Sequence, residues 1–277
     1  METLILIGAI CLFILLTYLI VHVFFYFLQG KFIFKPTKDT QLTPDVLDLK
    51  FKSYSIPCNK KVDTIQCWDL IPCEQPKATI IFFHGNTGNL SSSLGRLKFF
   101  YNLNYRIIAV SYRGFGDSTG DPSAKAFFRD IKDINYFINN TLKLKTEDCI
   151  IFGHSLGGAS AIKFAEIFSP KALIVEESFT SMVDMARLLH SYLLFIPTLS
   201  RHKFLSIKNI KKVNCPSLFI HSKNDDYIPY SMGRELFKAS PSKNKKFVAI
   251  RGPHSTGWSE SLDIYRKEIS DFVNNLN

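Results

Sequence analysis

One serine of this chain stands in a setting suited to catalysis. Ser155 lies in Gly153-His154-Ser155-Leu156-Gly157, between an apolar run that predicts a strand and an Ala- and Phe-rich run that predicts a helix. The pattern Gly-x-Ser-x-Gly on such a turn exposes a serine hydroxyl at the carboxyl edge of a sheet. The glycines lack Cβ atoms, so the strand and the helix can approach each other closely. We therefore predict that Ser155 is a nucleophile rather than part of a tight Gly-rich turn.

A serine hydroxyl reacts only with the help of a base, and the chain has 7 histidines. His254 follows the last predicted strand, in a loop that could carry its ring to Ser155. His154 is adjacent to Ser155, but its side chain is expected to point away from the apex of the turn. His221 ends another predicted strand and is the weaker candidate. We predict that His254 is the general base.

A carboxylate must orient that base, and it is sought at the other strand ends. Asp225 and Asp226 follow the predicted strand Pro216–His221, and Glu177 ends the preceding one. The order serine, aspartate, histidine along the chain is found in one large class of serine hydrolases. This reasoning leaves Asp225 and Asp226 equally open, with Glu177 as a further candidate.

A developing oxyanion requires two hydrogen-bond donors. One is the main-chain N–H of Leu156, because it opens the helix directly after the serine. The other is expected from the loop after the strand Thr79–His84, and we assign it to Asn86 in His84-Gly85-Asn86-Thr87-Gly88-Asn89. This chemistry requires neither a metal nor a cofactor.

These residues must be positioned by a sheet. Two alternating stretches, Leu49–Ile56 and Val62–Ile71, predict an antiparallel pair, and continuous apolar strands then alternate with helices to Asn274. Such strands are typical of a mostly parallel sheet covered by helices on both faces. Residues 179–212 interrupt the alternation with many apolar side chains, which favours a short helical lid over one more packing helix.

The N-terminus predicts a membrane anchor. Thr3 to Leu28 contains no Asp, Glu, Lys or Arg, and about 20 apolar helical residues suffice to cross a bilayer. We therefore expect a single-pass helix in residues 1–30, a linker in 31–44 and the main domain in 45–277. Lys31, Lys35 and Lys38 follow the span, so the positive-inside rule favours a cytosolic main domain on an endomembrane, with a lumenal domain left open.

The net charge and the cysteine content limit the classes of partner and of metal site that we expect for this chain. The formal net charge is +10, but the basic residues are spread along the chain without a nucleic-acid-binding pattern. A cluster of them in and after the lid favours an anionic membrane surface or a phosphate headgroup: Arg201, His202, Lys203, Lys208, Lys211 and Lys212. The 6 cysteines form no Cys-x-x-Cys pair, which argues against a zinc site, and a bridge among Cys58, Cys67 and Cys73 stays open.

The motifs together resemble the α/β-hydrolase superfamily. They are His84-Gly85-Asn86-Thr87-Gly88-Asn89, Tyr112-Arg113-Gly114-Phe115-Gly116, Gly153-His154-Ser155-Leu156-Gly157-Gly158, Asp225 four residues before Pro229, and Gly252-Pro253-His254. The chain, with its anchor, is similar to the membrane-anchored α/β-hydrolase domain-containing protein 13 group, also called Bem-like (bud-emergence) hydrolases. The resemblance implies an α/β-hydrolase fold and selects Asp225, since the acid of that pattern lies four residues before a proline. Ser255, where the pattern has Asn or Asp, is a departure.

The residues and the resemblance lead to one functional hypothesis. We expect a membrane-anchored serine hydrolase that cleaves acyl esters or thioesters through Ser155, His254 and Asp225. The apolar lid favours a lipid or an acylated protein as substrate over a short soluble ester. A serine peptidase of the same fold is the enzymatic alternative, and a non-catalytic membrane scaffold is the alternative from another class.

Overall fold

The computed structural model describes residues 1–58, 60–191 and 199–276. In this part of the chain, the central sheet has 8 strands. They are β1 (Phe51–Cys58), β2 (Asp63–Leu70), β3 (Ala78–Phe83), β4 (Tyr105–Val110), β5 (Cys149–His154), β6 (Ala172–Glu176), β7 (Ser217–Ser222) and β8 (Lys245–Ile250). The helices are α1 (Glu2–Ile33), α2 (Leu94–Asn102), α3 (Ala124–Asn140), α4 (Leu156–Phe168), α5 (Met182–Leu189), α6 (Ser206–Asn209), α7 (Tyr230–Ala239), α8 (Gly257–Glu260) and α9 (Leu262–Asn274).

The sheet has the order β8-β7-β6-β5-β3-β4-β2-β1. Only β2 runs antiparallel to its neighbours, and the remaining pairs from β4 to β8 are parallel. The carboxyl ends of β3, β5, β6, β7 and β8 therefore meet at one edge, where open α/β sheets bind their ligands. The prediction of a mostly parallel sheet with an antiparallel opening pair is confirmed.

Two apolar layers cover the sheet. Alternate residues of the central strands face opposite sides: Ile81, Phe83 and Ile151 pack in one layer, and Ile80, Phe82 and Phe152 in the other. The first layer includes side chains of α3, α4 and α7, and the second includes side chains of α2 and α9. Because both faces of the central strands β3, β5 and β6 are buried, each of these strands is mostly a continuous apolar run in the sequence.

Helix α1 is the one described helix that is long and apolar enough to cross a membrane. Most side chains of its first two-thirds are exposed, whereas His22 and Gln29 are buried against the rest of the molecule. A two-residue strand, Lys35–Pro36, then pairs with Thr87–Gly88 beside the end of β3. The chain after α1 is thus joined to the loop that follows β3.

The insertion between β6 and β7 carries α5 and α6. Ser181 caps α5, since its side chain accepts a hydrogen bond from the main-chain N–H of Asp184. The apolar stretch Tyr192–Phe195, which contributes to the lid prediction, lies outside the described residues. All six cysteines are free thiols, so the bridge considered for Cys58, Cys67 and Cys73 is not formed.

Candidate active site

Ser155 occupies the turn between β5 and α4, and its backbone is strained. Its φ is 56° and its ψ is −119°, a conformation that a residue with a Cβ atom rarely adopts. Three hydrogen bonds hold it. The Ser155 N–H donates to the carbonyl of Glu176 at 2.9 Å. The Ser155 carbonyl accepts from the Gly158 N–H at 3.0 Å and from the Ser178 hydroxyl at 2.8 Å. These three bonds hold the main chain of Ser155 in its strained conformation.

The glycines beside Ser155 are needed because backbones approach closely here. A Cβ atom on Gly153 would collide with the carbonyl group of Gly157. A Cβ on Gly157 would collide with the carbonyl oxygen of Phe83 at the end of β3. Since main-chain atoms cannot move aside as side chains do, only glycine fits at these two positions.

The structure brings Ser155, His254 and Asp225 together from the ends of β5, β8 and β7. The Nε2 atom of His254 lies 3.0 Å from the Ser155 hydroxyl oxygen. The Nδ1 atom of the same ring lies 2.8 Å from Oδ2 of Asp225. Both distances are hydrogen bonds. The arrangement allows His254 to take a proton from Ser155 while Asp225 stabilises the resulting imidazolium.

Asp225 is buried, yet its surroundings favour the charged form. Its Oδ1 accepts hydrogen bonds from the main-chain N–H groups of Tyr227 at 2.9 Å and Ile228 at 2.7 Å. Burial on its own would raise the pKa of Asp225, but the hydrogen bonds from His221 and His254 outweigh it and hold the pKa well below the usual range. Asp225 is therefore a carboxylate at neutral pH.

The two adjacent aspartates contact different parts of His254. Asp225 accepts a hydrogen bond from the ring, whereas Oδ1 of Asp226 accepts one from the main-chain N–H of His254 at 3.0 Å. His221 lies behind Asp225, with its Nε2 3.3 Å from Oδ2 and 3.0 Å from the carbonyl of Ile228. Asp225 therefore contacts the imidazole ring of His254, whereas Asp226 binds the main chain of the loop that carries it. His221 contacts Asp225 and the carbonyl of Ile228 rather than Ser155.

Leu156 and Asn86 both line the same cavity as Ser155. The N–H of Leu156 opens α4, so no preceding turn of helix offers it an acceptor. The side chain of Asn86 is turned away from the serine, because its Nδ2 donates to the carbonyl of Ile33 at 2.8 Å. Its carbonyl accepts from the N–H of Lys35 at 2.9 Å. The main-chain N–H of Asn86 is therefore the candidate donor on this residue for an oxyanion.

Glu177 and His154 form a buried pair beneath His254. Glu177 has a φ of 47° and is fully buried, and its Oε2 lies 3.4 Å from Nε2 of His154 and 3.9 Å from Nδ1 of His254. Burial, together with the charges of Glu176 and Asp225, raises the pKa of Glu177 to about 10. Burial, together with the nearby charge of Arg96, lowers the pKa of His154 well below its usual range. Both groups are therefore neutral at pH 7.

This pair changes two expectations about the site. The ring of His154 does not point away from the reaction centre, since its centroid lies 5.0 Å from that of His254. Glu177 is not positioned as the orienting acid, because Asp225 lies more than 1 Å closer to the same nitrogen. The ligand atoms of His154, Glu177 and His254 lie within 4.8 Å of one another. In their neutral forms the Glu177 carboxyl and the His154 imidazole lie side by side without charge repulsion.

Glu177→Gln is expected to make the protein more stable at alkaline pH. The ordinary pKa of the carboxyl is 4.5 and the folded value is about 10, so between these values the folded state holds a proton that the unfolded state has lost. The free energy of unfolding of the wild type therefore falls as pH rises, by up to ~1.4 kcal/mol per pH unit. Melting temperatures of the detergent-solubilised chain at pH 5, 7 and 9 measure this difference.

The matched control is Glu235→Gln on α7, an exposed glutamate. We expect its melting temperature to follow that of the wild type at every pH. A Glu177→Gln variant that also runs parallel to the wild type from pH 5 to 9 would contradict the protonated state of Glu177.

Arg96, Glu176 and Tyr265 form a buried cluster near the turn at Ser155. No sequence motif predicts this cluster. The guanidinium of Arg96 pairs with Glu176 at 2.8 Å, and the hydroxyl of Tyr265 donates to the same carboxylate. Arg96 also lies 5.3 Å from the Trp258 ring centroid. Because the carbonyl of Glu176 accepts the Ser155 N–H, this ion pair supports the turn. The signal in the sequence is a charged residue at the end of the apolar run Ala172–Glu176.

Two clefts of different character meet at Ser155. The apolar cleft has about 860 Å³ of empty space, part of it open to solvent. Its wall is built from α1, α5 and the loop after β6, with Phe25, Phe32, Phe179, Met182, Met185 and Leu189 among its side chains. The polar cleft also reaches Ser155 and is lined by Lys35, Arg96, His154, Asp226 and His254.

The basic residues of the insertion are not gathered at either cleft. Lys212 pairs with Glu166 at 2.8 Å, and the guanidinium of Arg201 lies over the ring of Tyr26 in α1. Nδ1 of His202 accepts the N–H of Ala124. Among the described residues, the cations that line the polar cleft beside Ser155 are Arg96, which is paired with Glu176, and Lys35, from which the sequence predicted only the orientation of α1.

Comparisons with known proteins agree with this fold. A family model described as "Serine aminopeptidase, S33" matches residues 74–188. The bem46 protein of Schizosaccharomyces pombe is 31% identical over 242 residues, which are 83% of this chain and 79% of that protein. The lysophosphatidylserine lipase ABHD12 of Macaca fascicularis is 29% identical over 201 residues, 65% of this chain and 50% of that lipase.

A solved structure has the same fold. The Pyrococcus furiosus esterase Pf2001 superposes with a TM-score of 0.70 over 88% of this chain and 100% of that one, at 16% sequence identity. This likeness bears on the fold alone. The similarity to bem46 spans most of both chains. By sequence and by fold, the chain belongs to the α/β-hydrolase superfamily and to the family of the bem46 protein.

Proposed function

We propose that this protein is a membrane-anchored serine hydrolase that cleaves acyl esters or thioesters. The observation that carries the proposal is the chain of two hydrogen bonds from Asp225 to His254 and from His254 to Ser155. Membership of a hydrolase family and the likeness to a lysophosphatidylserine lipase support the same chemistry. Helix α1 would hold the enzyme at the membrane, with residues 45–277 as its hydrolase domain and 179–212 as its lid.

The proposed mechanism uses only groups already in place. His254 Nε2 takes the proton of Ser155 as its oxygen attacks the acyl carbonyl carbon, and Asp225 stabilises the imidazolium. The N–H groups of Leu156 and Asn86 hold the oxyanion. The tetrahedral intermediate collapses, and His254 gives its proton to the leaving alcohol or thiol. Water, deprotonated by His254, then attacks the acyl-enzyme, and the acid leaves as Ser155 regains its proton.

The two clefts support an amphiphilic substrate. An apolar cleft lined by Phe, Met and Leu side chains suits an acyl chain. The polar cleft suits the leaving group, and Lys35 there would attract an anionic one. A lipid or an acylated protein has both parts, whereas a short soluble ester would leave the apolar cleft empty. A lumenal position of the domain would not alter this chemistry, although the lysines after α1 favour the cytosolic side.

One observation favours a second candidate function. The family model that matches residues 74–188 bears the description of a serine aminopeptidase. Peptide amides react through the same acyl-enzyme, so the same site could cleave them. We therefore expect esters or thioesters of long acyl chains to be turned over faster than aminoacyl amides, and measuring both on the same preparation distinguishes the two activities.

Activity-based labelling tests the proposal directly. The full-length protein in detergent micelles is treated with a fluorophosphonate probe, and the modified residue is found by peptide mass spectrometry. We expect a single modification on Ser155, because only its hydroxyl is hydrogen-bonded to His254 among the described serines. A folded protein that takes up no probe would falsify the serine-hydrolase proposal and favour a non-catalytic membrane scaffold.

A further inference from the structure

The anchor helix contributes directly to the wall of the candidate active site. Side chains from its last three turns line the apolar cleft next to Ser155 and Leu156: His22, Phe25, Gln29, Phe32 and Ile33. These positions recur every three or four residues, so they lie on one face of α1. A helix that served only as a tether would not need to contact the site.

Polar contacts secure this face of α1 to the insertion between β6 and β7. The Gln29 side chain donates to the carbonyl of Leu199 at 3.1 Å and accepts from the N–H of Arg201 at 2.7 Å. Gln29 is only 3% exposed although it belongs to an otherwise apolar helix. Because the buried Gln29 amide makes both of these hydrogen bonds, it fixes the position in which α1 packs on the insertion.

Apolar contacts extend the same interface. The Phe25 ring lies 5.4 Å from the ring of His190, edge on, and packs with Val183 and Ala186 of α5. The carboxyl end of α1 is also joined to the loop proposed to hold the oxyanion, through the hydrogen bond from Asn86 to the carbonyl of Ile33. The apolar cleft is thus enclosed between α1 on one side and α5 on the other.

In a bilayer spanned by α1, as proposed above, the length of this helix would place the cleft at the membrane surface. Glu2 to Val21, before the docked face, spans about 30 Å at 1.5 Å per residue, which is the thickness of the hydrocarbon core. The side chains of this part are mostly exposed, as expected for contact with lipid. The helix from His22 onwards would then lie at the level of the headgroups. The apolar surface of α1 is therefore continuous from the bilayer interior to Ser155.

We propose that the last three turns of α1 form the acyl-binding wall of the site, and that the site takes the acyl chain of its ester directly from the bilayer along this helix. The inference rests on the proposed hydrolase function and deepens it. The ester bond lies at Ser155, the acyl chain lies between Phe25 and α5, and the polar leaving group faces Lys35. Phe25 then limits the acyl length that the site accepts.

Adjacent phenylalanines of α1 provide a matched test. Phe25 faces the cleft, whereas Phe24 points outward and is 62% exposed. The full-length protein is reconstituted in phosphatidylcholine vesicles that contain 4-nitrophenyl acetate or 4-nitrophenyl palmitate. Phe25→Trp is expected to lower the palmitate-to-acetate ratio of kcat/KM by about tenfold, since one or two methylenes lose their place. Phe24→Trp is expected to leave that ratio within about twofold of the wild type.

The controls separate this inference from the proposed function. If wild type and both variants label with fluorophosphonate, the catalytic serine is intact in all three. Equal palmitate-to-acetate ratios in the two tryptophan variants would then overturn the role of α1 while the hydrolase function stands. A wild type that neither labels nor hydrolyses either ester would instead overturn the function.

Delivery from the bilayer has its own measurement. The palmitate ester is held at one bulk concentration while more phosphatidylcholine dilutes it within the vesicles. We expect the rate to fall in proportion to the mole fraction of ester in the membrane. A rate that follows only the bulk concentration would show that the substrate arrives from water and would overturn this part of the proposal.

Discussion

Ser155→Ala should lower kcat for acyl-ester hydrolysis by about 10⁴- to 10⁶-fold, the loss found when a triad nucleophile is removed. The Ser155 oxygen is 3.0 Å from His254 Nε2 and borders both clefts, so no other described hydroxyl can replace it there. Residual turnover would come from substrate binding and the oxyanion donors alone. The measurement is hydrolysis of a 4-nitrophenyl ester by purified full-length protein.

The control for this substitution is Ser231→Ala, an exposed serine of α7. It changes the same chemical group far from both clefts, and we expect kcat within about twofold of the wild type. If Ser155→Ala retained more than about a tenth of the wild-type kcat, the proposed nucleophile would be wrong.

Asp225→Asn should lower kcat by about 10³- to 10⁴-fold with little change in KM. The N–H groups of Tyr227 and Ile228 would keep the amide oxygen at the Oδ1 position, so the amide NH2 would face Nδ1 of His254 and donate to it. His254 is then held in the wrong tautomer, and its imidazolium lacks the stabilising charge of a carboxylate. The substitution is close to isosteric, and the two main-chain hydrogen bonds to Oδ1 can persist. Steady-state kinetics across pH 6 to 9 separates this loss from a shift in pH optimum.

Asp226→Asn is the matched control, because it is the adjacent residue and the same chemical change. Its side-chain oxygen still accepts the N–H of His254 after the substitution. We expect a loss of less than about tenfold. Equal losses in the two variants would show that the carboxylate at 225 has no special part in the chemistry. A Glu177→Gln loss larger than that of Asp225→Asn would transfer the role to Glu177.

Local sequence is sufficient for the features whose cause is local. The turn at Ser155 follows from Gly153 and Gly157, because only residues without Cβ atoms allow β5, α4 and β3 to approach so closely. The sheet follows from apolar runs alternating with helices, since strands buried on both faces consist mostly of apolar residues. Family membership follows from the same motifs, and the fold and family predictions are confirmed.

Choices among near neighbours depend on the tertiary structure. The residues alone leave Asp225 and Asp226 equivalent, because a one-residue difference in a loop is decided by the turn that the loop adopts. In the structure Oδ1 of Asp225 accepts two main-chain N–H groups, which turns its Oδ2 toward His254. The contact of His154 with His254 is likewise invisible in sequence, since it depends on how the loop after β8 folds back.

Helix α1 is the clearest example of a feature that the sequence determines in part and the tertiary structure completes. Composition determines that α1 is long and apolar enough to span a bilayer, because that property is a sum over residues. It does not reveal that part of α1 packs on the protein, since lipid and an apolar protein surface select the same side chains. The sequence contains one indication of this packing, namely two polar residues seven positions apart on one helical face, His22 and Gln29. Only the tertiary structure shows that this face lines the cleft at Ser155.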